Sequence, residues 1–251
     1  LDGGGSEEAS SLVSARRLPA TAAAFIGGLL SHALDYDDTH LPSILHPSAI
    51  IVPTGLAAAE LAGSSGADAV AAMAAGYEIL IRLGMAAYDP VLKNSVYFEK
   101  GLHATSICGA VAAAAVASRL LDGSAEHMAD AMGIAASMGA GLLEANRTGG
   151  TVKRIHGAWA CHSGVWAARL ASAGISGPPT VFEGRFGFFY YLLGEASFDI
   201  DPAADLGRNW ETPGLFFKPY PVTHFTHTAI AAAISAPASA TPPPPSPRPR
   251  P

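Results

Sequence analysis

Residues 105–121 read TSICGAVAAAAVASRLL, a stretch dominated by alanine and other small side chains and stopped by Asp122-Gly123. Alanine has the highest intrinsic helix propensity, so this stretch predicts a helix that neighbouring helices can approach closely. The same bias runs through the 251 residues, of which 49% are hydrophobic but only 8% aromatic. Strands of a β-sandwich need branched and aromatic residues, so this mixture favours helices. We therefore expect an all-α fold.

Helix signals continue on both sides of this stretch. Pro19 suits a first helical turn, the Gly63 to Gly66 cluster supplies a turn and a cap, and Ser124 can cap a following helix. We expect helices over residues 19–34, 50–62, 66–87, 105–121, 124–145 and 156–173. Beyond the Gly-Pro-Pro break at 177–179, we expect short helices over 183–191 and 192–206, an extended piece at 215–217 and a last helix from Thr226.

The ends of the chain differ in composition from its middle. From Pro237 onward it consists mainly of Pro, Ala, Ser and Arg, which cannot bury a core, so this part is expected to be disordered or polyproline-like. We predict a helical domain over residues 1–235 and a low-complexity tail over 236–251. The chain opens at Leu1 with an acidic, Gly-rich stretch, without an initiator Met or signal-peptide features, so we expect an N-terminally incomplete domain.

Composition excludes several functional classes. The formal net charge is −6, and apart from the Arg-Pro tail there is no block of basic residues, which argues against a nucleic-acid partner. The longest apolar run is too short and too weakly hydrophobic to cross a membrane. Cys108 and Cys161 lie in Ala-rich helical stretches, which is typical of buried free thiols in a reducing, cytoplasmic compartment. A small anionic substrate remains compatible, because a pocket needs only a few converging cations.

The segment 31–48, SHALDYDDTHLPSILHPS, concentrates titratable side chains at the end of a predicted helix. Aspartates at a helix C-terminus oppose the macrodipole, so a function other than local stability is favoured for Asp35, Asp37 and Asp38. A metal site is a weaker alternative, since the segment has neither the i, i+4 histidine pair of a metallohydrolase nor a calcium-loop pattern.

Three other segments carry candidate groups. His103 precedes the Ala-rich helix, where backbone N–H groups favour an anion, although its ring could instead cap the helix. The run TVKRIHG at 151–157 offers Lys153, Arg154 and His156 before another helix, although a Lys-Arg pair is more often solvated. The proline-flanked segment KPYPVTHFTH at 218–227 is rigid, but by itself it is weak evidence for a site.

Four segments in order, HALDYDDTH with HPS, GLHATSICGA, GGTVKRIHGAWA and KPYPVTHFTH, resemble the signature segments of the MmgE/PrpD family. The resemblance covers about residues 15–233. It implies a large all-α domain with most active-site residues, a smaller α/β lid domain, and a homodimer. The lid would follow the last helix, where this chain has its Pro-rich tail instead, so we expect the lid domain to be missing.

The resemblance also implies the site. Its active-site positions fall on Asp35, Thr39, His46, His103, Lys153, Lys218 and His227. We predict catalytic roles for His103 as acid/base and for Asp35, His46, Lys153 and His227. We predict substrate binding by Thr39, Lys218, Arg154, His156 and Tyr220. The sequence departs from the common family pattern at Thr223, where many members have Cys.

The function that the resemblance implies is a lyase acting on a small polycarboxylate, such as 2-methylcitrate or cis-aconitate, without a metal or organic cofactor. Proton transfer next to a carboxylate is the shared chemistry, with cations stabilising the charge that develops. Dehydration, decarboxylation and epimerisation stay open, and dehydration is the most familiar activity of bacterial members. The alternative is a catalytically inert helical domain that acts as a dimerisation or ligand-binding module.

Overall fold

The structure is a computed structural model of the chain and describes residues 4–14, 16–194 and 201–236. Its architecture is mostly helical, which confirms the all-α prediction. The helices are α1 (Ala20–His32), α2 (Ser48–Ala62), α3 (Gly66–Met85), α4 (Val96–Glu99), α5 (Ala104–Leu120), α6 (Ala125–Ala136), α7 (Ala145–Thr148), α8 (Lys153–Ser172), α9 (Phe188–Leu193) and α10 (His227–Ser235). The two-residue strands are β1 (Ala9–Ser10), β2 (Arg17–Leu18), β3 (Thr39–His40), β4 (Tyr88–Asp89), β5 (Asn94–Ser95) and β6 (Leu215–Phe216).

Helix α5 is the centre of the core. Within it, every residue except Arg119 is buried, and α2, α3, α6 and α8 all pack around it. The packing is close because the facing side chains are small: a Cβ added to Gly164 of α8 would collide with Ala113 of α5. The alanines of α5 therefore favour the helix and also let the surrounding helices pack closely on all its sides.

The predicted turn chemistry is present at the helix ends. Gly63 ends α2 with a φ of +64°, a left-handed conformation that glycine adopts without steric penalty. The Ser65 side chain accepts a hydrogen bond from the backbone N–H of Asp68 and caps α3, and Ser124 does the same for α6 through His127. Across residues 4–14, 16–194 and 201–236, no helix combines the length and apolar character needed to cross a bilayer.

Two helix boundaries differ from the sequence prediction by three residues or more. The helix predicted over 124–145 ends at Ala136, and the chain then passes close to α5: a Cβ on Gly139 would lie 2.8 Å from the Ile107 carbonyl oxygen. The helix predicted from His156 begins three residues earlier, at Lys153. The first change brings the 139–143 segment against the start of α5, and the second places Lys153 in the first turn of α8.

The aromatic-rich stretch also differs from the prediction. The helix predicted over 183–191 forms only as α9 (Phe188–Leu193), because the preceding residues form turns in which a Cβ on Gly187 would approach the Val181 carbonyl oxygen to 2.7 Å. Among the described residues of the helix predicted over 192–206, only 192–193 are helical, as the end of α9, and 202–206 are turns; residues 195–200 lie outside the described residues. The predicted tail beyond residue 236 also lies outside them.

A short antiparallel pairing joins the first and last of the four motifs. Strand β3 pairs with β6, with Thr39 opposite Phe216 and His40 opposite Leu215. The predicted extended piece at 215–217 is thus confirmed over Leu215–Phe216. This pairing fixes the loop after α1 against the segment that leads to Lys218.

Candidate active site

All four motifs meet at one cavity of about 690 Å³. Its wall includes ten residues from these motifs: Asp35, Thr39, His46, Leu102, His103, Ala104, Lys153, Thr223, His224 and Phe225. Each stands at or near the end of a helix or on a short loop, namely after α1, before α2, before α5, at the start of α8 and before α10. The rigid helices therefore position loop residues around a common space, as is usual for binding sites.

Asp35 lies at the centre of an ion network. Its Oδ2 accepts a hydrogen bond from Lys153 Nζ at 2.8 Å, and its Oδ1 accepts one from Lys218 Nζ at 2.9 Å. Lys218 Nζ also donates to the Asp35 backbone oxygen at 2.7 Å. Burial alone would raise the carboxyl pKa, but the two ammonium groups hold the pKa of Asp35 well below its ordinary value. Asp35 is therefore a fixed negative charge.

The backbone of Asp35 is left-handed, with a φ of +53°. Such a conformation costs a residue with a Cβ roughly 1–2 kcal/mol, although aspartate tolerates it better than most. This turn directs the carboxylate toward Lys153 and Lys218. Strain at this position is thus offset by the two ion pairs.

His46 has a defined tautomer. Its Nδ1 lies 2.8 Å from the backbone oxygen of Asp38 and 3.2 Å from Thr39 Oγ1. Because the carbonyl can only accept, Nδ1 carries the proton, which leaves Nε2 as the unprotonated nitrogen. Nε2 lies 3.7 Å from Asp35 Oδ1. Thr39 therefore contacts His46, and His46 presents a basic nitrogen beside the Asp35 network.

His103 and His156 form a buried pair. Their Nδ1 atoms are 2.9 Å apart, so one nitrogen donates the proton and the other accepts it. The His103 ring also stacks on His32 at 5.5 Å between centroids. His103 occupies the N-cap position of α5 without a capping hydrogen bond from its ring, which argues against the alternative of a simple capping role.

Burial controls the charge of these rings. It lowers the pKa of His46 to about 4 and that of His156 to about 4, and it holds the pKa of His103 well below the ordinary value. Neighbouring His32 and Lys153 lower all three further, since like charges disfavour protonation. At neutral pH these imidazoles are uncharged, so each can accept a proton.

The same shifts predict acid sensitivity. Because folded-state pKa values lie below the ordinary 6.5, stability is complete above pH 6.5 and is lost as pH falls toward about 4. In that window each ring lowers the unfolding free energy by up to about 1.4 kcal/mol for each pH unit of acidification. We expect His46→Gln to flatten the pH dependence of the unfolding free energy, measured by urea denaturation, and the exposed His127→Gln to leave it unchanged. Equal pH dependence of the unfolding free energy in the wild-type chain, His46→Gln and His127→Gln would contradict the buried, uncharged state of His46.

A metal could be considered at His32, Asp35 and Asp37, whose ligand atoms lie within 4.8 Å of one another. His32 Nδ1 lies 2.7 Å from Asp37 Oδ2, so this ring and carboxylate already form a pair. Both Asp35 oxygens are held by Lys153 and Lys218. A divalent cation would have to face two ammonium groups here, so the charge arrangement disfavours a metal ion.

Five predicted residues lie behind or outside the cavity wall. The Lys218 ammonium is fully buried and holds Asp35 from behind, and His156 supports His103. His227 is buried, with its ring 5.2 Å from both His224 and Tyr220, and its Nε2 lies 3.1 Å from the Val222 carbonyl oxygen. Arg154 is exposed in the first turn of α8 and does not line the cavity.

Sequence reasoning missed three basic side chains of the cavity wall: Lys93, Arg147 and His224. His224 stands in the same motif as His227, and only the geometry shows which of the two faces the cavity. Arg147 belongs to the short helix α7 and Lys93 to the turn between β4 and β5; no motif marks either. Thr223, where the chain departs from the family pattern, also lines the cavity.

Comparisons with known proteins show which family this chain is similar to. The model of the MmgE/PrpD N-terminal domain matches residues 1–201. The cis-aconitate decarboxylase-like protein oryM of Aspergillus oryzae is 30% identical over 86% of this chain and 46% of its own length. Cis-aconitate decarboxylase of Aspergillus terreus is 30% identical over 86% and 45%, and that of Homo sapiens is 32% identical over 87% and 45%. The chain thus spans less than half the length of these relatives.

Proposed function

Because this chain belongs to the MmgE/PrpD family, we propose that it is the site-bearing domain of a lyase that decarboxylates cis-aconitate or a closely similar polycarboxylate. The resemblance alone left dehydration, decarboxylation and epimerisation open, with dehydration the most familiar activity of bacterial members. The names of the relatives favour decarboxylation, since each is called a cis-aconitate decarboxylase or a protein like one. The observation that carries the proposal is a cavity with uncharged imidazoles on its wall and an excess of cations.

The charges of the cavity suit a polyanion. Among the described residues, its wall carries three cationic side chains, Lys93, Arg147 and Lys153, against one carboxylate, Asp35. That carboxylate is already paired with Lys153 and with Lys218 behind it. Lys93 and Arg147 are exposed and form no ion pair with any of the described residues, so they can bind substrate carboxylates by charge-assisted hydrogen bonds.

The reaction needs a proton donor and a stabilised negative charge. Breaking the C–C bond to one carboxylate releases CO₂ and leaves an electron pair that delocalises onto a remaining carboxylate. A proton must then reach carbon. In this proposal the cavity cations stabilise the delocalised charge, and His103 supplies the proton.

The His103–His156 pair supports that role. If His156 Nδ1 donates to His103 Nδ1, then His103 carries its own proton on Nε2 and can act as an acid. If the pair holds the opposite tautomer, His103 Nε2 is a base. When His103 Nε2 gives its proton to substrate, the shared proton moves from His156 Nδ1 to His103 Nδ1, and His156 Nε2 takes up a proton from solvent. Both rings then stay uncharged, as the low pKa values favour.

The proposal is tested by incubating the purified chain with cis-aconitate and measuring CO₂ release. We expect one CO₂ per substrate consumed, without added metal and unchanged by EDTA. 2-Methylcitrate serves as the second substrate, and its dehydration in place of decarboxylation would correct the reaction type. Binding of cis-aconitate without turnover would contradict the lyase proposal for this chain and support the inert ligand-binding module, which the comparisons do not favour.

Arg147 offers a direct test of substrate binding. A lost charge-assisted hydrogen bond reduces affinity about 10-fold, so we expect Arg147→Met to raise KM for cis-aconitate about 10-fold with little change in kcat. Arg154→Met is the informative comparison, because Arg154 is exposed outside the cavity and should leave KM unchanged. The reverse pattern would restore the sequence-based assignment of Arg154 and remove Arg147 from the site.

We also propose a second copy of this chain as its partner. Helix α8 exposes Ile155, Trp159 and Trp166, with side chains 41–44% exposed, and this spacing places them on one face. Large aromatic residues of this kind are enriched at protein interfaces. Sedimentation velocity of the purified chain distinguishes a dimer from a monomer.

A further inference from the structure

Helix α3 buries an acidic and a basic side chain that belong to none of the four motifs. Glu78 is 3% exposed and Arg82 is 9% exposed, and the two form an i, i+4 ion pair with Arg82 Nε 3.4 Å from Glu78 Oε2. Neither residue lines the cavity. Burying two charges is costly unless hydrogen bonds satisfy their remaining donors and acceptors, so the identity of those partners is informative.

The partners of Arg82 lie far along the chain. Arg82 Nη1 donates to the backbone oxygens of Ala204 at 2.5 Å and of Pro202 at 3.4 Å. Arg82 Nη2 donates to the Asn209 backbone oxygen at 2.6 Å. The guanidinium therefore donates to three backbone carbonyls of one irregular segment. These carbonyls belong to no helix or sheet that would supply hydrogen-bond donors for them.

Glu78 holds the next part of the same segment. Its Oε2 accepts a hydrogen bond from the Glu211 N–H at 3.0 Å, and its Oε1 accepts two from Thr212, one from the backbone N–H at 2.8 Å and one from Oγ1 at 2.5 Å. Burial alone would raise the pKa of Glu78, but these N–H and hydroxyl donors lower it, so the carboxylate is charged. The two side chains together bind residues 202–212, which we call the anchored segment.

The anchored segment leads directly into the site. A 3₁₀ turn at Thr212–Gly214 connects it to β6, which pairs with β3 on the loop that carries Asp35 and Thr39. Two residues after β6, Lys218 donates to Asp35. A displacement of β6 would therefore also displace Lys218.

We propose that Glu78 and Arg82 are positioning residues, which fix the anchored segment so that β6 places Lys218 on Asp35. Five of their six bonds to the anchored segment go to its backbone, so this function depends on the two side chains rather than on the sequence of the segment. The effect on turnover rests on the proposed function, but the effect on the anchored segment does not.

The experiment is amide hydrogen exchange on Glu78→Gln, Thr212→Val and the control Glu126→Gln, an exposed glutamate of α6. Gln keeps the size of Glu78 but removes the negative charge of the carboxylate, which accepts three hydrogen bonds from Glu211 and Thr212. We expect exchange at residues 209–222 to be about 10-fold faster in Glu78→Gln and about threefold faster in Thr212→Val, with α5 and α8 unchanged. Unchanged exchange at 209–222, or an equal increase over the whole chain, would overturn the proposal.

Kinetics add a second readout. Lys218 contacts Asp35 and does not itself line the cavity. We therefore expect KM for cis-aconitate to change little, and kcat to be highest in Glu126→Gln, lower in Thr212→Val and lowest in Glu78→Gln. Thr212→Val is the milder change and keeps the test available if Glu78→Gln does not fold. A wild-type chain without turnover would reject the lyase proposal, and the exchange rates would still decide whether Glu78 and Arg82 fix the anchored segment.

Discussion

Replacing Asp35 with Asn should lower kcat about 100-fold and the unfolding free energy by about 3 kcal/mol. Asn is nearly isosteric but uncharged, so Lys153 and the fully buried Lys218 would lose their common counter-ion. Removing one partner of a buried ion pair leaves an uncompensated charge, which is strongly destabilising. The misplaced lysines would also disturb the reacting geometry.

Steady-state kinetics and urea denaturation measure these two effects, with Asp68→Asn on the exposed surface of α3 as the control. The pH dependence provides a further check. A carboxyl whose folded pKa is depressed adds stability above its ordinary pKa and loses it as pH falls through the folded value. Asp35→Asn should therefore lack part of the acid-induced loss. Wild-type stability in Asp35→Asn would show that the ion network is not important.

Replacing His103 with Gln should lower kcat about 1,000-fold, because a positioned acid or base contributes roughly 10²–10⁴ to a rate. KM should change little, since the substrate carboxylates are bound by the cavity cations rather than by this uncharged ring. The side chain is buried, and Gln can still hydrogen-bond to His156, so the fold should be retained.

The matched control for His103→Gln is His127→Gln, because His127 is exposed on α6. A kcat close to wild type in His103→Gln would remove the acid/base assignment and leave His46 or His224 as the candidate. A large rise in KM with unchanged kcat would instead make His103 a substrate-binding residue.

Local chemistry was sufficient to predict most helices and to single out Asp35, which lies on the cavity wall. The alanine content of α5, the glycine turn at Gly63 and the serine caps are local signals, and they predict the elements that form. The aspartates after α1 conflict with the helix dipole, and this local conflict marked Asp35 as functional. The four motifs then meet at one cavity, as the resemblance implied.

What the sequence could not show depends on contacts between distant segments. The helix predicted over 124–145 is interrupted because Gly139 must pass against Ile107, a contact across the core. Lys218 is buried two residues after β6, which pairs with β3, and His224 rather than His227 lies on the cavity wall. Arg147 was missed because a four-residue helix without a motif brings it to the cavity rim.

The central claim is that the four motifs form a single polycarboxylate site, and a crystal structure of the chain with propane-1,2,3-tricarboxylate tests it most directly. This saturated analogue of cis-aconitate lacks the double bond and cannot be decarboxylated by the proposed route. We predict that it binds in the cavity, with carboxylates within hydrogen-bond distance of Arg147 and Lys153 and its carbon chain against His103. Binding at another surface, or an empty cavity at saturating analogue, would contradict the claim.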